Sequence, residues 1–334
     1  MGRIPRRVGY DSALPAPWAD GRTGWQGWLA AEAYPRVIDP GSGLVWTANA
    51  RVTEGEVLQH MGAGGYTLGA RARQIRDALA SLRPANLSDM LAIQLDDRAL
   101  LQQRWRDLLV EAMTDQAVSG LPLRAELRAI LRAWEGRAGV ESVGYRMTRE
   151  FRRRVHDELL AHLLAGCGEF TEPLELTRTN QAEGPVWRLV TEQPAHLLPG
   201  RYDSWHDLLL AMADSAIASC GPDPLSACTW GRLNEVQIEH PLADALGLLR
   251  RPLVAHDEPL PGGDHMPRVQ QRAHGASERF AVSPGDEANG YFHMPGGQSG
   301  HPLSPFFVAG HDAWVRGEPL PFLPGPPAHT LTLR

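Results

Sequence analysis

Apolar residues return at three- and four-residue intervals through the middle of the chain, and that period predicts helices. From Ala70 to Leu82 the residues Ala72, Ile75, Ala78, Leu79 and Leu82 fall on one helical face. Ser88 followed by Asp89 predicts an N-cap, with Met90, Leu91, Ile93 and Leu95 inside the helix that follows. LPLRAELRAILRAWEG, from Leu121, predicts a third helix stopped by Gly136. YRMTREFRRRVHDELLAHLLAGCG, from Tyr145, predicts a fourth, stopped at Gly166 or Gly168. Residues 68–165 therefore read as helical, and SWHDLLLAMADSAIA places another amphipathic helix within 200–222. Arg149, Arg152, Arg153 and Arg154 in the fourth helix read as a solvated face with acidic partners.

The flanks have a different grain. Residues 1–50 are rich in Gly, Pro and Trp, with Trp18, Trp25, Trp28 and Trp46. There DPGSG reads as a turn, and LVWTANARV after it carries the β-branched and aromatic residues of a strand. Such a segment needs something to pack against, and it is an odd way to begin a free-standing domain. From about residue 223 Pro and Gly become frequent among short strand-like pieces such as RFAVSP and YFHM, and PFLPGPPAHTLTLR closes the chain. The pattern thus divides 1–67 (strands and loops), 68–222 (mainly helical) and 223–334 (strands, loops and a Pro-rich tail).

With 334 residues, 43% of them hydrophobic, the chain can bury a sizeable core. Its formal charge of -6 gives no basic surplus, so no nucleic-acid footprint is indicated. The basic residues are all arginine, so every side-chain cation other than a protonated His is a planar guanidinium. Three cysteines, Cys167, Cys220 and Cys228, cannot pair completely within one chain; a Cys220–Cys228 bridge is left open by the count. MGRIPRRVGYDS has no apolar segment behind its positive charge, so it does not read as a signal peptide. No run of about 18 apolar residues predicts a transmembrane helix. As written the chain is expected to be cytoplasmic, and periplasmic or secreted if an upstream part carries a signal peptide.

Self-contained catalytic motifs are missing: there is no GxSxG, P-loop, GxGxxG, HExxH or CxxC. Pairs such as His256 and His265 lack a diagnostic metal spacing. Asp96 and Asp97 read as adjacent helix positions, which do not face each other as an acid/base pair must. Cys167 after Gly166 would need a following strand to act as an N-terminal nucleophile, and the position reads as a helix end. Ser299 and His301 are too close along the chain to suggest a triad, and no orienting acid accompanies them.

Longer segments carry more information. GRIPRRVGYDSALPAPWADGRTGWQGWLAAEAYPRVIDPGSGLVWTANARV, then GARARQIRDAL with LSDMLAIQLDDRALL, then TWGRLNEVQIEHPLA, then MPGGQSGHPLSPFF with Trp314–Gly317, follow one another along nearly the whole chain. In kind and order they resemble the C-terminal part of the β-chain of the penicillin acylase family. That resemblance implies an α+β fold: part of the four-layer αββα sandwich of N-terminal-nucleophile hydrolases, with a large helical segment. It implies hydrolysis of linear amides, with acylated amines as substrates and neither metal nor organic cofactor. The family's β-chain Ser nucleophile belongs upstream of the matched region, so the resemblance implies as partners an N-terminal β-chain segment and an α-chain.

By the same resemblance Asn49, in TANARV, matches the family's oxyanion-hole asparagine, and Arg71 matches an arginine that helps organise the site. Ala50 stands where many relatives have a second Asn. Some members bind a structural calcium; here His60 stands where one of its carboxylate ligands falls, and a backbone-carbonyl ligand falls near Ser12. Histidine suits a hard, oxygen-seeking cation poorly, and no calcium is expected. Two functional expectations stand side by side: a contributing part of an amidase that is inactive alone, or a non-catalytic subunit or remnant that binds a separately encoded N-terminal half.

Overall fold

The computed structural model describes residues 2–12, 14–62, 65–82, 84–169, 181–240, 242–243, 253–254 and 257–333. An antiparallel hairpin, β1 (Pro5–Val8) and β2 (Gly24–Trp28), comes first. The helices follow: α1 (Gly55–Met61), α2 (Ala70–Ser81), α3 (Leu87–Gln94), α4 (Leu100–Ala112), α5 (Asp115–Val118) and α6 (Pro122–Ala133). They continue with α7 (Val143–Leu163), α8 (Glu183–Glu192), α9 (Trp205–Ala218) and α10 (Trp230–Leu233). Short strands β3 (Gln270–Gln271), β4 (His274–Gly275), β5 (Arg279–Ala281) and β6 (Tyr291–His293) precede α11 (His311–Arg316). Among the described residues the strands form three two-stranded antiparallel sheets, so the fold is mixed helix and small sheets, α+β.

The main core lies among α4, α6, α7, α8 and α9. In α7 every fourth residue is inaccessible: Met147, Phe151, Val155 and Leu159. They form the apolar stripe that helical spacing demands. Trp105 of α4 meets this stripe edge-on, 6.2 Å from Phe151 and 5.1 Å from Trp187 of α8 between ring centroids. Leu127 and Leu131 of α6 and Leu208 and Ala213 of α9 close it. Cys220 and Cys228 form a disulfide that ties the turn after α9 to the turn before α10.

Several sequence expectations change in the fold. The cap of α3 is Asn86, not Ser88: Asn86 Oδ1 accepts from the Asp89 N–H at 3.0 Å, and Asp89 Oδ2 accepts from the Asn86 N–H at 2.9 Å. This reciprocal pair satisfies two helix-end donors, which a cap at Ser88 would leave open. LVWTANARV is not a strand. Among the described residues its only ladder contact is the bridge Ala50↔Thr67, and Val45 and Val52 are exposed. Asn49 also has a positive φ of 61°, which breaks an extended run. Asp96 and Asp97 lie in the loop after α3 rather than inside a helix, because the helix ends at Gln94.

The arginine face of α7 is only partly solvated. Arg153 is exposed and pairs with Glu150 and Asp157, each at 2.8 Å. Arg152 instead turns inward to Glu183, whose side chain is 3% exposed. Position 152 flanks the buried Phe151–Val155 stripe, so packing against α8 covers it. RFAVSP and YFHM do hold strands, β5 and β6, while the Pro-rich tail carries no element among its described residues. Among the described residues no helix is long and apolar enough to cross a membrane.

Candidate active site

Asn49 sits between two buried alanines, Ala48 and Ala50, with its own side chain exposed. Its left-handed backbone is one that Asn tolerates better than most residues. Donors from Thr67, just before α2, and from the first turn of α2 hold this turn. The Thr67 N–H donates to Asn49 O at 2.9 Å, and Thr67 Oγ1 to Ala48 O at 3.1 Å. Arg71, in the first turn of α2, donates from Nη2 to Ala48 O at 2.9 Å and to Asn49 Oδ1 at 2.6 Å. A guanidinium has donors only, so the end of the Asn49 amide that faces it must be the oxygen. The Nδ2 amide then points away from Arg71 with its N–H bonds available.

Arg71 is half-buried. Burial lowers its pKa, and the negative charge of Asp264 opposes that shift. A bonded path joins the two regions. Gln74, one turn after Arg71, donates to Asp96 Oδ2 at 2.8 Å. The Arg268 N–H donates to Asp96 O at 3.1 Å, and the Gly263 N–H to Arg268 O at 3.0 Å. Burial would raise the Asp264 carboxyl, but the charges of His265, Arg149 and Arg152 hold it below its ordinary value. Asp264 and Thr67 carry no local sequence signal for this role: Thr67 acts through 18-residue-distant backbone, and Asp264 arrives from the far end of the chain.

The other sequence candidates scatter. Asp96 bonds Arg98 and Gln74, whereas Asp97 pairs with Arg137, so the two carboxylates serve different partners. Ser299 Oγ accepts from the His301 N–H at 3.2 Å, and His301 Nδ1 accepts from the Leu303 N–H at 3.1 Å. Both are local turn bonds and leave no nucleophile–base contact. Cys167 is exposed in a 3₁₀ turn, and residues 170–180, where a following strand would have to begin, lie outside the described residues. His265 lies beside Asp264, while His256 falls outside the described residues. His60 lies in the last turn of α1, where its carbonyl accepts from Arg7 at 2.5 Å. Among the described residues no group of three or more His, Cys, Asp or Glu is placed to hold a metal ion.

The penicillin amidase family profile matches residues 1–328, almost end to end. This chain belongs to that family. Similar proteins include the penicillin acylase 2 proenzyme of Pseudomonas sp. (strain SE83), 28% identical over 96% of this chain and 42% of that protein. The acyl-homoserine lactone acylase QuiP of Pseudomonas aeruginosa (strain PAO1) is 26% identical, again over 96% of this chain and 42% of the relative. QuiP of Pseudomonas fluorescens (strain Pf-5) is 27% identical over 95% and 41%. The family is one of amide hydrolases, and the chain spans about two fifths of the length of these curated relatives.

Proposed function

We propose that this chain supplies the oxyanion-stabilising part of an N-terminal-nucleophile amide hydrolase, whose Ser nucleophile lies on polypeptide outside residues 1–334. The observation that carries this reading is the 2.6 Å bond from Arg71 to Asn49 Oδ1, which leaves an oriented N–H on an exposed asparagine. In the reaction the Ser Oγ adds to the amide carbon while the Ser α-amine takes its proton. Negative charge develops on the former carbonyl oxygen, and the Asn49 Nδ2–H donates to it. The C–N bond then breaks, the proton passes to the leaving amine, and water hydrolyses the acyl-enzyme to the carboxylic acid and free Ser. A donor aimed at developing charge stabilises the transition state more than the ground state.

The substrates are acylated amines, β-lactam side-chain amides or acyl-homoserine lactones, in keeping with relatives named a penicillin acylase and acyl-homoserine lactone acylases. The complete assembly adopts the four-layer αββα sandwich, with residues 1–67 joining its sheets. The apolar surface of residues 2–61 supports a missing neighbour. Trp18, Trp25 and Trp28 are at least half exposed, and Val37, Ile38, Val45 and Val52 about 70% exposed. Soluble chains seldom leave so many large apolar groups uncovered. The same surface favours the second reading, a non-catalytic subunit or remnant that binds a separately encoded N-terminal half.

Reconstitution tests both. The 334-residue chain is co-expressed with polypeptide corresponding to the other three fifths of the relatives, and release of a chromogenic amine from an acyl amide is followed. The first reading expects turnover by the complex, none by the chain alone, and a large loss with Asn49→Ala. Turnover by the purified chain above a heat-killed control would overturn it. A stable complex with no turnover would favour the second reading.

A further inference from the structure

The C-terminal ribbon holds a cation with too few partners. Arg279 of β5 and His293 of β6 stand directly opposite each other, and Tyr291 lies two residues before His293. Opposed residues share a sheet face, and residues two apart on a strand share it too, so all three side chains emerge on one face. That face is covered: Arg279 and His293 are each 1% exposed and Tyr291 4%.

Arg279 rests 4.9 Å from the Trp314 ring centroid and donates from Nη1 to Trp314 O at 2.7 Å. Its Nε and Nη2 atoms are buried without a hydrogen-bond partner among the described residues, as are the Tyr291 hydroxyl and both His293 ring nitrogens. Nε–H and Nη2–H form one edge of the guanidinium, the pair that grips an anion side-on with two parallel bonds. Burial and the charge of Arg268 push Arg279 down to about 9, and no carboxylate among the described residues acts on it. Burial and Arg279 together push His293 down to about 4, so at neutral pH it is an uncharged ring with one N–H to give. Buried charges are ordinarily paired, and buried donors ordinarily bonded. The Trp314 face and one carbonyl meet only part of that need.

We propose that Arg279, Tyr291 and His293 form a buried site for one small monovalent anion, a halide or a planar oxyanion, held side-on by Arg279 and completed by the Tyr291 hydroxyl and a His293 N–H. A single guanidinium balances a single negative charge. Water could satisfy the donors but would leave that charge uncompensated. Tyr291 also lines an open cleft with Asn86, Leu91, Asp286 and Asn289. The bound anion joins the β5–β6 ribbon to α11 and so stiffens the C-terminal region.

The test uses bromide and nitrate. Anomalous diffraction from crystals of the protein soaked in bromide is expected to show a peak within hydrogen-bond reach of Arg279 Nε and Nη2. Thermal unfolding is followed at fixed ionic strength while gluconate is replaced by bromide or nitrate. Tm should rise by about 2 °C for each tenfold excess of anion over its Kd. Arg279→Gln should abolish the response. Tyr291→Phe, which keeps the ring, should weaken it and serves where Arg279→Gln fails to fold. A site holding only water, or a Tm response unchanged in these variants, would overturn the proposal.

Discussion

Arg71 Nη2 and Asn49 Oδ1 are 2.6 Å apart, and this one bond decides which end of the Asn49 amide faces outward. In the reconstituted enzyme Asn49→Ala is therefore expected to lower kcat by about 100–1000-fold. KM should change little, because the lost bond is made mainly in the transition state. Asn49→Asp should be as slow as the alanine variant: it keeps the shape and the bond from Arg71 but replaces the outward donor with an acceptor. Steady-state kinetics on one acyl amide separates these outcomes, and a fast Asn49→Asp enzyme would remove Asn49 from the oxyanion role.

Glu183 should make stability depend on acid. Burial alone would raise its carboxyl, but hydrogen bonding by His156 and the charges and bonds of Arg152, Trp105 and Arg104 hold it far below the usual carboxylate range. With the folded value depressed, the unfolded chain takes up the proton first. The stabilisation is complete above the unfolded value of about 4.3 and is lost as pH falls below it. Glu183→Gln is expected to cost about 3–5 kcal/mol at pH 7, since it removes the buried carboxylate that pairs the part-buried Arg104 and Arg152. The difference from the native chain should shrink between about pH 5 and pH 3. Urea denaturation across that range checks the sign, and a constant difference would contradict it.

Reducing the Cys220–Cys228 bridge is expected to destabilise the helical core. The bridged residues are 8 apart in sequence, and closing a loop of that size restrains the unfolded chain by about 2–3 kcal/mol in the entropy model. Calorimetry with and without reductant reads the change in Tm. The Cys220→Ser, Cys228→Ser double variant should match the reduced protein and no longer respond to reductant.

Gly263 faces Tyr145 too closely for any side chain. A Cβ there would lie 2.3 Å from the Tyr145 hydroxyl. Gly263→Ala should cost about 1–3 kcal/mol through overpacking. The Tyr145 hydroxyl is buried without a hydrogen-bond partner among the described residues, so Tyr145→Phe should cost little and relieve most of that penalty. A double-mutant cycle by chemical denaturation would show strong non-additivity. Additive effects would mean that the clash is relieved elsewhere.

Cys167 offers a control on the catalytic assignment. It is free and exposed, so alkylation should go to completion on the folded protein. Activity of the reconstituted enzyme should survive alkylation unchanged. Loss of turnover that Cys167→Ala reproduces would reopen the thiol as a nucleophile.

Local chemistry was the legible part of this protein. Helical period marked α2, α6, α7 and α9, because an apolar stripe must face a core whichever core it meets. Even the error at α3 was local: Asn86 and Ser88 are both cap-forming residues, and only the reciprocal bonds to Asp89 choose between them. The strand expected at 44–52 failed because a strand is made by its neighbours, and its only β-bridge among the described residues is Ala50 to Thr67. Asn49 and Arg71 were singled out by likeness to a family, not by their own chemistry, which in isolation fits an ordinary turn and an ordinary helix surface.

By itself, then, the sequence determined the family, the helical middle and the two site residues to examine. Tertiary structure alone decided which charges are buried and what faces them. It turned Arg152 inward onto Glu183 while leaving Arg153 in water. It set Arg71 against Asn49 across 22 residues of chain, and Arg279 beneath Trp314 across 35. Periodicity and capping are properties of a few consecutive residues. Desolvation and pairing depend on groups brought from distant parts of the chain, and no local pattern records which ones will meet.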